Sequence, residues 1–161
     1  MLFETKRLYV QHWEEKDLAE LYNLFNDQAI LDSVLPHLTM GETKQIFDLQ
    51  LDAYNNEFPF GRYFIKEKNT DDFIGLLLLK KIDEDGIEIG YSFIKSQWQK
   101  GFATEVVTNG LQWLCSLNCF SKIYAVTEIL NTQSKRVLLK LGIHLQKGKI
   151  FILPAFLLSL R

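Results

Sequence analysis

Between Arg62 and Lys95 three short β-rich runs are separated by two compact polar turns, which restricts the chain to folds built on an antiparallel meander. The runs are Arg62–Lys66, Phe73–Ile82 and Ile87–Lys95. The turns, Asn69-Thr70-Asp71-Asp72 and Asp83-Glu84-Asp85-Gly86, hold the residues that hairpins need. Phe73 to Leu79 is apolar without interruption, which predicts burial on both faces. After Lys95 the pattern changes. Gly101–Leu117 has helical spacing with Val106, Val107, Leu111 and Leu114 as its apolar face. Lys122–Glu128 reads as a strand and Thr132–Leu141 as a helix stopped by Gly142. One or two further strands follow around Gly148 and Pro154.

The first third opens with a strand, Arg7–Trp13, then a helix over Glu14–Asn26 carrying Leu18, Leu21, Tyr22 and Phe25 on one face. Asp27–Leu38 is irregular or short-helical and is broken by Pro36. A second helix spans Thr39–Asn56, with Ile46, Leu49 and Ala53 along its stripe. Antiparallel strands followed by β-α-β-α-β predict an α/β fold: one mixed sheet with helices on both faces. With 161 residues and no linker or repeat, the expectation is one domain over 1–161.

Hydrophobic residues make up 47% of the chain, which supports a sizeable core rather than disorder. The formal net charge of −2 argues against a nucleic-acid partner. No apolar run approaches the ~18 residues of a membrane span, and the N-terminus has no signal-like apolar stretch. A cytoplasmic protein without membrane or nucleic-acid contacts is expected. Cys115 and Cys119, four apart on a predicted helix, could be a metal pair, but nothing nearby completes a zinc set. No metal is expected, and the two are read as buried or half-buried thiols. His12, His37 and His144 form no constellation and are read as structural.

The most informative segment is Ile94-Lys95-Ser96-Gln97-Trp98-Gln99-Lys100-Gly101-Phe102-Ala103-Thr104-Glu105, where a strand ends and a helix begins. A helix N-terminus offers unpaired N–H groups and a positive dipole end. Gly101 lets a ligand approach the main chain. Together these suit a phosphate or pyrophosphate, although a plain strand-to-helix turn fits as well. Walker and dinucleotide loops are excluded: Phe102 follows Gly101, and the segment has one glycine rather than three. No Gly-x-Ser-x-Gly elbow occurs.

Trp98 to Glu105 resembles the acetyl-CoA loop of GNAT acetyltransferases of the RimJ/RimL-like, ribosomal-protein branch, which often reads Tyr-Trp-Gly-Lys-Gly-Tyr-Ala-Thr-Glu-Ala. Glu4-Thr5-Lys6-Arg7-Leu8, Ile87-Glu88-Ile89-Gly90-Tyr91, and Asn131-Thr132-Gln133-Ser134 with Lys140-Leu141-Gly142-Ile143 resemble other motifs of that branch, in order. Gln99 stands where the branch usually has Gly, Gln11 replaces a frequent Arg, and Ile143 replaces the usual Phe. The apolar tail Ile150–Leu158 is unusual, and this region forms one wall of the acceptor site in the family.

The resemblance implies the GNAT fold, with a splayed parallel pair formed by Ile87–Lys95 and Lys122–Glu128. Acetyl-CoA would be the co-substrate. Its pantetheine would bond to the main chain around Phe93 and Ile94, with the Ile94 N–H at the thioester carbonyl. Its pyrophosphate would lie on amides from Gln99 through Lys100, Gly101, Phe102, Ala103 and Thr104. Glu88 would be the general base for a primary amine, from a protein N-terminus or a small molecule. The other reading of Glu88 is a charge on a solvated strand face, and Glu128 is a lesser candidate base. The tyrosine that many GNAT enzymes carry four residues before the late glycine is replaced by Leu138. The branch points instead to Ser134 as proton donor to the leaving thiolate, with Asn131 on the pantetheine. Helix capping explains Asn131 and Ser134 equally well. Two competing readings are a catalytically weak acyl-CoA-binding or regulatory domain, and a scaffold that forms a homodimer through its apolar C-terminal strand.

Overall fold

The computed structural model describes residues 1–26, 38–127, 131–146 and 150–154. Residues 27–37 of the expected irregular segment Asp27–Leu38, Glu128 and Gly148 lie outside them, as do the side chains from 144 onward, including those of His144 and the C-terminal strand. Strands β1 (Phe3–Glu4) and β2 (Leu8–Gln11) lead through a 3-10 turn, Glu15–Asp17, into helix α1 (Leu18–Phe25). Helix α2 (Met40–Asn56) follows, then the meander β3 (Gly61–Glu67), β4 (Phe73–Lys81) and β5 (Gly86–Phe93). A 3-10 turn, Lys95–Gln97, connects to α3 (Phe102–Ser116), β6 (Lys122–Val126), α4 (Thr132–Lys140), β7 (His144–Gln146) and β8 (Ile150–Pro154). The sheet order is β1-β2-β3-β4-β5-β6-β8-β7. Every neighbouring pair is antiparallel except β5 and β6. The expected mixed α/β sheet, with its one parallel pair, is the fold observed.

Apolar periodicity explains most of the packing. On one face of the sheet, Val106, Val107, Leu111 and Leu114 of α3 and Leu138 of α4 pack with Leu77, Leu79, Ile87, Ile89 and Ile123. On the other face, Trp13, Leu21, Leu24, Phe25 and Phe47 surround Phe64. Gly142 ends α4 in the left-handed region, φ 76°, and the Ile143 N–H reaches back to the Leu138 carbonyl at 3.1 Å. No described helix is long and apolar enough to cross a membrane.

Three expectations are corrected. The buried stripe of α2 is Thr43, Phe47 and Gln50, while Leu49 is 73% exposed. Polar residues take the inner face where the backbone offers partners: Thr43 Oγ1 donates to the Thr39 carbonyl at 3.0 Å, and Gln50 Oε1 accepts from the Arg62 N–H at 2.7 Å, while Gln50 Nε2 finds no partner among the described residues. Strand β4 is fully covered on one face only. A bulge at Ile74 shifts its register against β3, and Leu76 and Leu78 remain half-buried over a cleft. Cys119 is exposed and lies beyond the end of α3, so it shares no helix face with Cys115; neither is part of a disulfide.

His12 lies against the rings of Tyr54 and Tyr63, at 4.3 and 5.4 Å between centroids. Burial is the main cause that lowers its pKa, aided by the N-terminal charge. Its Nε2 is buried and finds no hydrogen-bond partner among the described residues. A histidine held neutral in the fold binds its proton more readily in the unfolded chain. Its contribution is therefore complete above the ordinary value of 6.5 and is lost as pH falls below it. Thermal melts between pH 7 and pH 5 should show a decline that is shallower in His12→Phe. Equal slopes in the two proteins would show that His12 does not carry the decline.

Candidate active site

Two strands that begin as neighbours and then part create the site. Parallel pairing of β5 with β6 runs through Gly86↔Lys122, Ile87↔Ile123 and Glu88↔Tyr124, and stops. Each strand keeps its outer partner: β5 stays on β4 as far as Phe93, and β6 stays on β8 along its whole length. The gap opens into a cleft of about 1030 Å³. Gly90, Phe93 and Ile94 line one wall, and Val126 and Thr127 line the other.

Ladder geometry decides which main-chain groups face the gap. The Ile94 N–H donates to the Ile74 carbonyl at 3.0 Å, across the β4 side. This corrects the expectation that the Ile94 N–H waits for a thioester carbonyl: Ile94 lines the cleft, but its donor is engaged. Directions alternate along a strand, so Tyr91 and Phe93 turn their main-chain groups toward the vacated β6 side. The Phe93 carbonyl accepts from Trp98 Nε1 at 2.7 Å. The Phe93 N–H and both main-chain groups of Tyr91 face the gap, beyond the last β5–β6 pair among the described residues, where an extended ligand could meet them.

The cleft continues to the start of α3. Gly101 adopts φ 82° as N-cap and supplies no side-chain cap. The amides of the first turn, Phe102 to Thr104, therefore keep the unpaired donors of a helix start. Gly101, Phe102, Ala103, Thr104 and Gln99 all line the cleft. Lys100 does not; its Nζ bonds Gln97 Oε1 at 2.7 Å.

A buttress that the sequence reading did not assign holds this turn in place. Glu105 Oε1 accepts from Thr5 Oγ1 at 2.6 Å and from the Arg7 N–H at 2.8 Å, and Oε2 pairs with Arg7 Nε at 2.6 Å. Arg7 Nη1 donates to the Lys100 carbonyl at 3.1 Å, and its guanidinium lies 4.3 Å from the centre of the Phe102 ring. Burial pushes the Glu105 pKa up, but the bonds from Thr5 and Arg7 outweigh it, and the net shift is downward. A carboxylate in the first turn of α3 would compete with an incoming anion. Here it is turned away and neutralised. Thr5, Arg7 and Glu105 belong to motifs visible in the sequence, but only the fold shows that they touch.

The remaining expected residues, Glu88, Asn131 and Ser134, also line the cleft. Glu88 is half-buried and lines the cleft. Asn131 is the N-cap of α4: its Oδ1 accepts from the Ser134 N–H at 2.9 Å. The Ser134 hydroxyl caps nothing and instead reaches the Tyr91 hydroxyl at 3.1 Å. Tyr91 was not among the expected residues. Alternation along β5, with Ile87 and Ile89 in the core, signals its face, but nothing local signals Ser134 as its partner.

Gln99 has φ 63°, a conformation that a side chain makes costly. This explains physically why glycine suits the position. Gln99→Gly should relax the turn, offset by the greater entropy that glycine loses on folding. The expected melting temperature is level with, or slightly above, that of the wild type. A loss of several degrees would show that the Gln99 side chain holds the loop.

A sequence model of the acetyltransferase (GNAT) domain matches residues 7–144. The chain is 26% identical over 151 residues to YoaA of Bacillus subtilis (strain 168), named as an N-acetyltransferase but uncharacterized, with 88% of this chain and 81% of that protein covered. It is 29% identical over 143 residues to the N-acetyltransferase p20 of Bacillus licheniformis, also uncharacterized, with 83% and 77% covered. Among solved structures, RimL, a ribosomal L7/L12 alpha-N-protein acetyltransferase in complex with coenzyme A, superposes with a TM-score of 0.81 at 14% identity, covering 95% of this chain and 97% of that one. Spermidine N-acetyltransferase from Vibrio cholerae, in complex with CoA and spermine, gives 0.77 at 17% identity, with 94% and 98% covered. These structures share the overall fold, and the match over residues 7–144 shows that the chain belongs to the GNAT acetyltransferase family.

Proposed function

We propose that this protein is an N-acetyltransferase that moves the acetyl group of acetyl-CoA directly onto a primary amine. The observation that carries the reading is the continuous cleft. It joins unpaired main-chain groups on β5 to the bare N-terminus of α3, matching a molecule with an amide-bearing arm and a pyrophosphate. Pantetheine would lie as an extra strand against Tyr91 and Phe93, and the pyrophosphate on amides from Gln99 to Thr104. The thioester carbonyl would meet the Phe93 N–H, replacing the engaged Ile94 donor. The acceptor is a protein N-terminus or a small amine; fold neighbours named for a ribosomal protein and for spermidine support both classes. The match over 7–144 and a sheet that continues through β8 support reading 1–161 as one acetyltransferase domain.

Chemistry requires a neutral amine. A lysine-like amine titrates near 10.4, so a base must take its proton at neutral pH. Glu88 is the proposed base. It shares a face of β5 with Gly90, opposite the core face of Ile87 and Ile89, and so looks into the cleft from the side of α1 and α2.

Acetyl-CoA should raise the melting temperature by mass action. Gly101→Asp should abolish the rise: among the described residues a Cβ there meets Arg7 Nη2 at 3.6 Å, so there is room, and a negative charge faces the phosphates. Because φ 82° strains any side chain, the melting temperature of the variant without ligand is measured first, and Gly101→Ala serves as the control for strain without charge. An undiminished rise in that variant would remove the loop from the binding site. Glu88→Gln should retain the rise and slow turnover about 10²-fold, with the loss shrinking as pH approaches the amine's own pKa. Unchanged turnover across pH, read as thiol release over a panel of amines and peptides, would make Glu88 a surface charge. Binding without turnover in the wild type on any acceptor would favour a regulatory acyl-CoA domain.

A further inference from the structure

The thiolate that leaves acetyl-CoA needs a proton, and the helix position that usually carries a phenol in this family holds Leu138, buried at 2% exposure in the core. The fold brings a phenol to the same region from another element. Tyr91 lies on β5 and lines the cleft, and its hydroxyl accepts from Ser134 Oγ at 3.1 Å. Either hydroxyl can donate in such a pair; with Ser134 as the donor, the Tyr91 O–H is left to point into the cleft. Its ring packs beside Phe93, 6.3 Å between centroids, and against the core under α3 and α4. The phenol is thereby held at the strand splay rather than free to swing.

Alternation along β5 adds a second argument. Glu88 and Gly90 occupy one face, and Tyr91 occupies the other with Ile87 and Ile89. The cleft passes between the parted strands and so opens on both faces. A thioester threaded through it would present its carbonyl carbon to an amine on the Glu88 side and its sulfur to the Tyr91 side. Base and acid would thus be separated by the sheet itself, which keeps them from neutralising each other.

We propose, on the reading of the site given above, that Tyr91 is the catalytic residue that hydrogen-bonds to the departing CoA sulfur and protonates it, and that Ser134 is the positioning residue that holds Tyr91. The amine nitrogen bonds to the carbonyl carbon and gives its proton to the base. The carbon–sulfur bond breaks with its electron pair on sulfur. The Tyr91 proton moves to sulfur, and the tyrosinate regains a proton from solvent, matching the one that the base releases. Burial raises the Tyr91 pKa and the bond from Ser134 opposes that rise, so the Ser134 bond favours the charged form that the transfer creates. A phenol ordinarily titrates above a thiol, so Tyr91 acts first as a hydrogen-bond donor to the growing charge and gives up its proton late.

The test does not depend on knowing the acceptor. The thiol of CoA bound to the protein is titrated through its ultraviolet thiolate absorbance in wild type, Tyr91→Phe and Ser134→Ala. Loss of the phenol donor should move the bound thiol's titration up by about one pH unit in Tyr91→Phe. Ser134→Ala should move it in the same direction by less. Tyr91→Phe should keep the acetyl-CoA-induced rise in melting temperature and its KM for acetyl-CoA while kcat falls by about 10- to 100-fold. An unchanged thiol titration in Tyr91→Phe overturns the proposal, and so does a loss of CoA binding with it, which would make Tyr91 a packing residue. A wild type that does not bind CoA would instead remove the acetyltransferase reading itself, a result distinct from either.

Discussion

The parting of β5 and β6 is the constraint from which the site follows. Main-chain polar groups inside a sheet must find partners, and a strand that loses its neighbour exposes a row of them. The cost is tolerated here because each strand remains anchored on its outer side, β5 to β4 and β6 to β8. Three paired positions hold the strands together at one end, and the other end is open. Reclosing the ladder would satisfy the backbone and abolish the cleft. The opening is therefore a property of topology, set by the parallel crossover through α3, rather than of any single side chain.

Everything else in the site serves that opening. Helix α3 must start where the gap ends, and the left-handed turns at Gln99 and Gly101 bring it there. The Thr5–Arg7–Glu105 network fixes the same turn from the opposite edge of the sheet, joining the first residues of the chain to the start of α3. It also removes a negative charge from a helix end that would otherwise repel a phosphate. Trp98 locks the last carbonyl of β5, so the number of main-chain groups offered to a ligand is limited to a few. The cleft is thus defined as much by the bonds already made as by those left open.

The division of labour across the sheet follows from strand geometry. Successive residues of β5 face opposite sides, so three consecutive positions, Gly90, Tyr91 and Ser92, present space, a phenol and a small hydroxyl to different parts of the cleft. Asn131 illustrates how capping and site building coincide. Its carbonyl oxygen satisfies the Ser134 N–H, and that same bond sets the first turn of α4 so that the Ser134 hydroxyl meets Tyr91.

Local signals in the sequence determined the elements themselves. Turn residues marked the meander, helical spacing marked the core face of α3 and part of that of α1, where Leu24 is buried and Tyr22 is not, and a glycine marked the end of α4. The loop from Trp98 to Glu105, with the other motifs in order, was enough to mark the family by resemblance; the helix start beside a glycine was itself readable from a few contiguous residues but fitted a plain turn as well. Element α2 was read less well: Leu49 was expected on the buried stripe and is exposed, whereas Gln50 is buried because it finds a backbone partner on β3 that periodicity does not register. Only the tertiary structure decided which amides are free. The Ile94 donor is engaged by Ile74, twenty residues away, and no local rule shows that. It alone joined Arg7 to Glu105 and Tyr91 to Ser134, pairs separated by 98 and 43 residues. A hydrogen bond depends on where two groups sit in space, and for groups this distant in sequence that position is set by strand order and helix packing.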